Sequence, residues 1–344
     1  MTDTYRVGVV GCGSIATERH IPAIEANDRT TLRAVYDHKW SNAETTAEAY
    51  DVPYAYDDYD ALLDSGIDFA TVATPPFAHA DRTTSALRAG VDVLCEKPMA
   101  VTLSDAQSMI DAADESGRTL GIVHNFLYSN SLRKVDRMAA NGRLGTVRYV
   151  KGFQLSSPRR DLPSWYTDLP GGLFFDESPH LLYLMERFVG TLDLESSTAQ
   201  RAPADAQSLK SVTATFRGRE DKVGQLTMLF DAPLSEWFLF VVGTRRLVVV
   251  DIFRDILLTF DREESHSPLQ VLKVLLSGTG QAVAGALSSG LDVLRGDLYF
   301  GFGELLSRYT AALDSNGEPP VTGADGYRIL RTVHDVVEST EETD

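Results

Sequence analysis

The chain has 344 residues, of which 43% are hydrophobic, and its formal net charge is −17 with a sequence pI of about 4.8. Its length predicts two domains, each large enough for a substantial core. The negative charge argues against nucleic acid and against anionic membranes as partners.

The kinds of charged residue and the cysteines suggest where the protein works. The acids are 31 Asp and 18 Glu, whereas the bases are 25 Arg and only 7 Lys. Such a surface is expected in a protein kept soluble at high salt, so we favour a halophilic source over an ordinary acidic protein. Cys12 and Cys95 fit neither a disulfide framework nor a metal site, and no signal peptide is recognisable. We therefore expect a reducing cytoplasm and no bound metal.

A glycine-rich turn follows the first predicted strand (residues 5–11) and precedes a helix (residues 15–26). The turn reads G-C-G-S-I-A over residues 11–16. Gly11 permits the tight turn, Gly13 lets the backbone approach a pyrophosphate, and Ala16 allows close helix–strand packing. The N-terminus of the helix would face the phosphates with free N–H groups. The sequence thus predicts a dinucleotide site at Gly11, Gly13, Ser14 and Ile15.

The second predicted strand, residues 32–36, ends at Asp37. An acid at this point accepts hydrogen bonds from the adenosine ribose hydroxyls and would repel a 2′-phosphate, so we expect NAD in preference to NADP. His38 and Lys39 follow directly and could soften that preference. The alternative for Asp37 is an acid that only initiates a turn.

Two further buried strands run into loops that carry polar groups. The strand over residues 68–73 is followed by Thr74, Pro75 and Pro76, a rigid loop expected beside the ribose and nicotinamide. His79 opens the next helix, where it either serves the cofactor or touches nothing. The strand that starts at Val93 stops at Glu96-Lys97-Pro98, because proline lacks an N–H. Lys97 would then lie at the carboxyl edge of the sheet, where ligands bind in open α/β folds.

This alternation of strands and helices predicts a doubly wound parallel sheet. The chain resembles the Gfo/Idh/MocA oxidoreductase family in the order and approximate spacing of three groups: Gly11, Gly13 and Ala16; Thr74-Pro75-Pro76 with His79; and Glu96-Lys97-Pro98. The resemblance implies an α/β Rossmann domain over residues 1–124. It also implies cofactor contacts from Thr74, Pro75, Pro76, His79, Glu96 and Lys97.

Beyond residue 124 the pattern changes to mostly period-two alternation. Strands are predicted at 145–155, 212–216, 224–230, 238–242, 247–251 and 256–260. They would form an antiparallel meander. We therefore predict an α+β domain over residues 125–344 with a large open, mostly antiparallel sheet. Because a large apolar sheet face needs a partner, we expect a homodimer or homotetramer through this sheet.

The second domain contains one further stretch typical of a site, P-G-G-L-F-F-D-E-S-P-H over residues 170–180. Asp176 and His180 are four residues apart and would share one helix face. The family resemblance extends here, since the family has a glycine-rich turn, then Asp, then His at the helix that lines the active site. Pro170 and Ser178 depart from the family pattern, which could reshape the turn and pocket but keeps both titrating groups. The alternative for His180 is a purely structural role.

The C-terminal part is predicted to be helical. Residues 267–290 form an apolar run that Gly278 and Gly280 interrupt, so we expect a broken segment that lies against the sheet or at a subunit contact and does not span a membrane. Two more helices are predicted over residues 299–313 and 325–337.

These residues suggest hydride transfer between nicotinamide C4 and a carbinol carbon. His180 would be the general base, Lys97 would donate to the reacting oxygen, and Asp176 would hold the imidazole or the substrate hydroxyl. The resemblance implies this set, and implies sugar, polyol or nucleotide-sugar substrates. Contacts to substrate are expected from these three residues and from Asn125, Arg159, Trp165 and Tyr166.

Three alternatives remain open at this point. The adjacent Arg159 and Arg160 would recognise a carboxylate or phosphate bidentately, or they form an ordinary solvated pair. The whole chain could be a catalytically silent nucleotide-binding sensor of the same fold, because a fold does not guarantee activity. An enzyme that uses the cofactor for elimination or epimerisation is the third alternative.

Overall fold

The computed structural model describes residues 4–202, 205–262, 267–294 and 300–341. Its strands are β1 (Tyr5–Val10), β2 (Thr30–Tyr36), β3 (Tyr54–Tyr56), β4 (Phe69–Val72), β5 (Asp92–Cys95), β6 (Leu120–Ile122), β7 (Val147–Leu155), β8 (Asp193–Ala202), β9 (Asp205–Arg217), β10 (Val223–Leu229), β11 (Glu236–Gly243), β12 (Arg246–Asp251) and β13 (Ile256–Asp261). Its helices are α1 (Ile21–Glu25), α2 (Trp40–Ala49), α3 (Tyr59–Leu63), α4 (His79–Arg88), α5 (Leu103–Ser116), α6 (Asn130–Ala140), α7 (Leu173–Val189), α8 (Pro268–Leu294), α9 (Phe302–Ser315) and α10 (Gly323–Glu341).

The chain divides into two compact units, one of Met1–Asn125 with Gly301–Arg331 and one of Phe126–Phe300 with Thr332–Asp344. The predicted domains placed residues 301–331 in the second domain, whereas here they belong to the first unit. Tyr309 of α9 is fully buried, its ring lies 5.4 Å from that of Phe69, and its hydroxyl donates to the carbonyl of Thr119. The helical pattern of this segment reveals an apolar face, but not which sheet that face covers.

The first unit is built on a parallel sheet with the strand order β3-β2-β1-β4-β5-β6. Its central strands are apolar along their whole length, as Val7, Val9 and Val10 show, because helices cover both faces of such a sheet. The predicted Rossmann fold is confirmed, although the short strand β3 was not predicted. The strand order reverses between β1 and β4, and a crevice for ligands forms at the carboxyl ends of strands flanking that point.

The second unit contains a seven-stranded sheet in the order β13-β12-β11-β7-β10-β9-β8. The mostly antiparallel sheet is confirmed, but the simple meander is wrong, because β7 and β10 pair in parallel. Helix α7 packs on one face of the sheet. A Cβ on Gly152 would lie 3.0 Å from Met185 Sδ and 3.1 Å from Leu181 Cβ, so glycine is what lets the helix approach this closely.

The segment after β13 departs from expectation. Gly278 and Gly280 do not break it, and α8 is one helix from Pro268 to Leu294. A glycine inside a helix costs only about 1 kcal/mol, and the missing side chain of Gly278 makes room for Phe260. By length and composition alone, Pro268–Gly290 is long and apolar enough to cross a membrane, and its most apolar window is not buried.

Candidate active site

The glycine turn after β1 has the shape that a dinucleotide requires. Gly11 has φ +93°, and a Cβ there would lie 3.0 Å from both the carbonyl oxygen of Ala73 and the nitrogen of Thr74. No atom lies within 4 Å of a Cβ built on Gly13, so space is open above the turn. The Thr74 hydroxyl is buried and has no hydrogen-bond partner among the described residues. Open space beside an unpartnered hydroxyl fits a bound nucleotide at this turn.

Asp37 lies next to the turn and is held by backbone groups. Its Oδ2 accepts a hydrogen bond from the nitrogen of Cys12 at 3.0 Å, and its Oδ1 accepts from the nitrogen of Lys39 at 3.0 Å and from Asn42 Nδ2 at 3.2 Å. The side chain of His38 is 72% exposed, with Nδ1 3.2 Å from Oδ1. A carboxylate offers about four acceptor positions, so Oδ2, which accepts one of the three hydrogen bonds, keeps a position for a ribose hydroxyl.

Glu96 connects the end of β5 to the neighbouring elements. Its Oε1 lies 2.9 Å from His20 Nε2, and its Oε2 accepts from the nitrogen of Lys97 at 3.1 Å. Burial alone would raise the pKa of Glu96, but the hydrogen bond from His20 and the charges of His20 and Lys97 outweigh burial, so the pKa is lowered. Glu96 is therefore an anion that fixes the loop carrying Lys97. The Lys97–Pro98 peptide bond is cis, and Lys97 itself is half-buried.

His79 is completely buried and ties two loops together. Its Nδ1 is 2.9 Å from the carbonyl oxygen of Pro98, and its Nε2 is 2.7 Å from that of Thr74. Burial lowers the pKa of His79, although both hydrogen bonds oppose the shift. The sequence offered a cofactor ligand or a histidine without contacts. The structure adds a third role, a brace between the Thr74 and Pro98 loops, and direct cofactor contact stays a prediction.

In the second unit, the site-like stretch forms the start of α7. Gly172, at φ 64° and ψ −129°, precedes the helix, and a Cβ there would lie 2.6 Å from Ser208 Oγ. Asp176 is half-buried, and His180, four residues later, is buried. The predicted helix and its glycine turn are therefore present, and Asp176 and His180 share the helix spacing that was expected.

His180 is oriented by aromatic side chains that sequence analysis did not single out. Its Nδ1 is 2.9 Å from the hydroxyl of Tyr183, which also accepts a hydrogen bond from the nitrogen of Phe126 at 3.3 Å. The ring centroids of Phe126 and Trp237 lie 4.9 Å and 5.4 Å from that of His180. Tyr183 is the partner of Nδ1, and a role of Asp176 toward the imidazole or the substrate hydroxyl stays a prediction. The i, i+3 spacing of His180 and Tyr183 was the available signal.

The predicted arginine pair is divided by the structure. Arg159 is exposed, whereas Arg160 Nη1 forms an ion pair with Glu177 Oε1 at 2.6 Å. Glu177 is buried and also accepts from Gln154 Nε2. Nε and Nη2 of Arg160 are buried and have no partner among the described residues. Glu177 and Gln154 are thus polar residues near the site that sequence analysis missed.

The other nominated substrate contacts lie in short 3₁₀ turns. Trp165 and Tyr166 are half-buried within Ser164–Asp168. Asn125 is buried at the start of the turn Asn125–Tyr128. Their roles toward substrate stay predictions.

Family models match most of the chain. Residues 5–124 match the model described as "Oxidoreductase family, NAD-binding Rossmann fold". Residues 132–249 match the model of the GFO/IDH/MocA C-terminal domain. The two matches fall in the first and second units respectively.

Two curated relatives carry the same name, dTDP-3,4-didehydro-2,6-dideoxy-alpha-D-glucose 3-reductase. The protein from Streptomyces violaceoruber is 32% identical over 54% of this chain and 55% of its own length, so the match spans about half of that relative. The protein from Actinomadura kijaniata is 30% identical over 72% of this chain and 75% of its own length. Among solved structures, the WlbA dehydrogenase from Bordetella pertussis, in complex with NADH and UDP-GlcNAcA, has a TM-score of 0.81 at 21% identity, covering 99% of this chain and 97% of that one.

Proposed function

Because the chain belongs to the Gfo/Idh/MocA oxidoreductase family, we propose that it is an NAD-dependent dehydrogenase or reductase. It would act on a hydroxyl-bearing carbon of a sugar, a polyol or a nucleotide-linked sugar. One observation carries this proposal: the glycine turn after β1, Asp37 after β2 and Lys97 after β5 all lie at the carboxyl edge of one parallel sheet. Ligands bind at that edge in open α/β folds.

Each group in the first unit would have a distinct task. Bound NAD supplies the hydride chemistry at its nicotinamide ring. Asp37 would accept the ribose hydroxyls and disfavour a 2′-phosphate, which gives the proposed preference for NAD over NADP. Lys97 would donate a hydrogen bond to the reacting oxygen and stabilise alkoxide character there. Glu96 would hold the loop of Lys97, and His79 would brace the same loop against that of Thr74.

His180 would take the hydroxyl proton during oxidation and return it during reduction. Its Nε2 would be the proton acceptor, since Nδ1 is bonded to Tyr183. With Nε2 as the acceptor, Nδ1 carries a hydrogen in both protonation states and would donate it to the Tyr183 oxygen in each. Tyr183 would therefore keep the imidazole in one orientation throughout. Asp176 would orient the substrate hydroxyl.

Two observations support a nucleotide-linked sugar within the wider substrate class. The two relatives described above are named as reductases of a dTDP-linked deoxysugar. Arg160 has two buried N–H groups without a partner among the described residues, while Glu177 fixes the rest of its guanidinium. Guanidinium groups suit diphosphates because their donors match the phosphate oxygens.

Cofactor binding is the first test. Tryptophan-sensitised fluorescence of NADH and NADPH would be measured in high salt for wild type, Asp37→Ala and, as the control, the exposed acid Asp28→Ala. We expect wild type to prefer NADH and Asp37→Ala to lose that preference, with Asp28→Ala unchanged. Tighter binding of NADPH to wild type would contradict the role of Asp37. No binding of either cofactor would favour the silent sensor.

Turnover is the second test, made on a panel of sugars, polyols and dTDP- or UDP-linked sugars. Oxidation or reduction of a panel member with a matching change in NADH absorbance would support a dehydrogenase. Conversion without net change in NADH would instead favour elimination or epimerisation.

We also propose a homodimer or homotetramer through the face of the second sheet that carries Phe153, Phe238 and Phe240, all half-buried. Light scattering on wild type and Phe238→Lys tests this assembly, with a smaller particle expected for the variant. A cytoplasmic location and a halophilic source remain part of the proposal. NADH binding that is retained at high salt would support the halophilic source.

A further inference from the structure

Helix α8 presents its small and polar residues to the sheet and its large apolar residues to the outside. Gly278 and Gly285 meet Phe260 and Ile256 of the edge strand β13. The Gln281 side chain accepts from the nitrogen of Thr259 at 2.8 Å and donates to its carbonyl oxygen at 2.9 Å. Such contacts protect an exposed sheet edge. Among the described residues, they leave large apolar side chains of the helix exposed.

The first part of α8 extends beyond the strand that supports it. Gly278 packs on Phe260 near the end of β13, and the ten helical residues before it, 268–277, extend by about 15 Å at 1.5 Å per residue. Six large apolar side chains in this projection are between 37% and 79% exposed: Leu269, Val271, Leu272, Val274, Leu275 and Leu276. Gln270, Lys273 and Ser277 recur at i, i+3 and i+7 and form one polar stripe along this part of the helix. A helix with exposed apolar side chains on its other sides and a basic residue in its polar stripe is typical of a helix that lies at a membrane surface.

A basic cavity of about 440 Å³ lies beside this projection. Its lining includes Lys134, Arg137, Arg143, Arg246 and, from α8, Ser277. The acid in the lining is Asp261, which pairs with Arg246 at 2.6 Å. The first three cations are exposed and form no ion pair with any described residue. Three uncompensated positive charges in a chain of net charge −17 make an anion the matching ligand.

We propose that this region docks on a bilayer that contains anionic phospholipid. The projecting part of α8 inserts among the acyl chains of one leaflet, and the basic cavity binds the phosphates of the lipid headgroups. An apolar segment combined with a basic patch is the two-signal arrangement needed for stable membrane attachment. This proposal goes beyond the oxidoreductase function and does not depend on it.

The dimensions favour insertion into one leaflet over a membrane span. The hydrocarbon core of a bilayer is about 30 Å thick, and only about 15 Å of the helix precedes Gly278. The remainder of α8 is bonded to β13 through Gln281. Helix α8 as a whole is long enough to cross a membrane. The part that precedes Gly278 is only about half as long as the hydrocarbon core is thick.

The net charge of the chain does not exclude an anionic surface. Exposed charges farther apart than about 10 Å are largely screened in ordinary salt, so the membrane responds to the cavity and not to the distant acids. The proposal therefore departs from the expectation of no membrane partner, which was drawn from total charge. A second copy of this chain fits less well. Two-fold pairing here would bring two basic cavities together.

Flotation of the full chain with vesicles tests the proposal. Vesicles of phosphatidylcholine would be compared with vesicles of phosphatidylcholine and phosphatidylglycerol, at the lowest salt at which NADH binding is retained. We expect wild type to float with the mixed vesicles at least tenfold more strongly. Loss of Lys134 and Arg137 in K134Q/R137Q should weaken that binding by about 30-fold, since each cation near an anionic surface contributes about 1 kcal/mol. Binding to pure phosphatidylcholine should not change.

The apolar contribution is tested separately. The triple variant L269Q/L272Q/L276Q should lose at least tenfold in binding to both vesicle types. The control R148Q/L234Q removes one exposed cation and one exposed leucine elsewhere in the same unit and should bind as wild type does. Circular dichroism and NADH binding confirm that each variant is folded. Leu275→Trp should shift its fluorescence to shorter wavelength only when vesicles are present.

Three results would overturn the proposal. One is the absence of flotation with either vesicle type by the folded wild type. Another is flotation that L269Q/L272Q/L276Q does not reduce. The third is an oligomer, seen by light scattering without vesicles, that this triple variant dissociates while vesicle binding is absent. In that case a second copy of the chain covers the helix.

Discussion

The two units hold their polar groups by different means. In the first unit, Asp37 is held by backbone N–H groups and His79 by two backbone carbonyls. In the second unit, His180 is held by the Tyr183 hydroxyl and by the ring of Trp237. A substitution can remove a side-chain anchor, whereas it leaves a backbone N–H or carbonyl group in place. The second site should therefore be more sensitive to single side-chain changes than the first.

The largest expected effect is at His180. His180→Ala removes the proposed general base and should lower kcat/KM by about 10² to 10⁴, the usual contribution of such a group. Tyr183→Phe removes one hydrogen bond, which contributes about 0.5–1.5 kcal/mol, and should lower kcat/KM by about two- to tenfold and change its pH profile. Steady-state kinetics against pH measures both.

His334→Gln is the matched control, because His334 also lies in the second unit and contacts an aromatic ring, that of Phe175. It should leave kcat/KM within about twofold of wild type. A loss at His334 equal to that at His180 would mean that these histidines matter for folding and not for proton transfer.

The next largest effect concerns the stability of the second unit. Glu177→Ala leaves the Arg160 guanidinium partly buried without its anion, and breaking a buried pair in this way costs about 3–5 kcal/mol. The double variant E177L/R160M removes both charges and should recover most of that loss. Urea unfolding followed by circular dichroism compares the two. If the double variant were less stable than Glu177→Ala, the ion pair itself, and not the orphaned charge, would be the stabilising feature.

Sequence reasoning succeeded where a group is defined by its distance from the end of a strand. The turn at Gly11, the acid at Asp37 and the stop at Lys97 each follow a buried strand, and strand ends were predicted within one or two residues. The anchors of His180 were missed because Phe126 and Trp237 belong to different elements. Only tertiary packing brings them to the imidazole, and no spacing in the chain encodes that.

Helix α8 shows that the fold, too, could be predicted only in part from the sequence. Two glycines were expected to break it, because glycine has a poor helix propensity. Tertiary packing can override a low helix propensity. Gly278 lies where the helix packs on Phe260 of β13, and Gly280 lies in open space, where glycine costs the helix only about 1 kcal/mol. The apolar residues of this segment were expected to pack against the sheet or a second subunit. Their pattern in the sequence does not reveal that the large side chains are exposed in this chain.

The smallest predicted effect is a change with pH in the free energy of unfolding, and it tests the role of a buried histidine in the first unit. His124 in the first unit is buried, and burial lowers its pKa to about 3, well below the value near 6.5 of an unfolded histidine. Between these values the unfolded chain binds a proton that the folded chain does not, so the free energy of unfolding falls as pH falls below about 6.5. The slope from one such group is about 1.4 kcal/mol per pH unit. Urea unfolding at several pH values between 6.5 and 5 measures it.

The variant His124→Gln should reduce this slope without abolishing it, because burial also lowers the pKa of His79 and contributes in the same direction. The carboxylates whose pKa values are lowered, such as Glu96 and Asp325, act in the same sense but at lower pH, so they do not obscure this range. His38→Gln is the control, since its side chain is 72% exposed. An unchanged slope in His124→Gln would mean that His124 is hydrated in solution. The contrast between a first unit in which burial lowers the pKa values of His79 and His124 and a second unit in which His180 is held by the Tyr183 hydroxyl would then lose its physical basis.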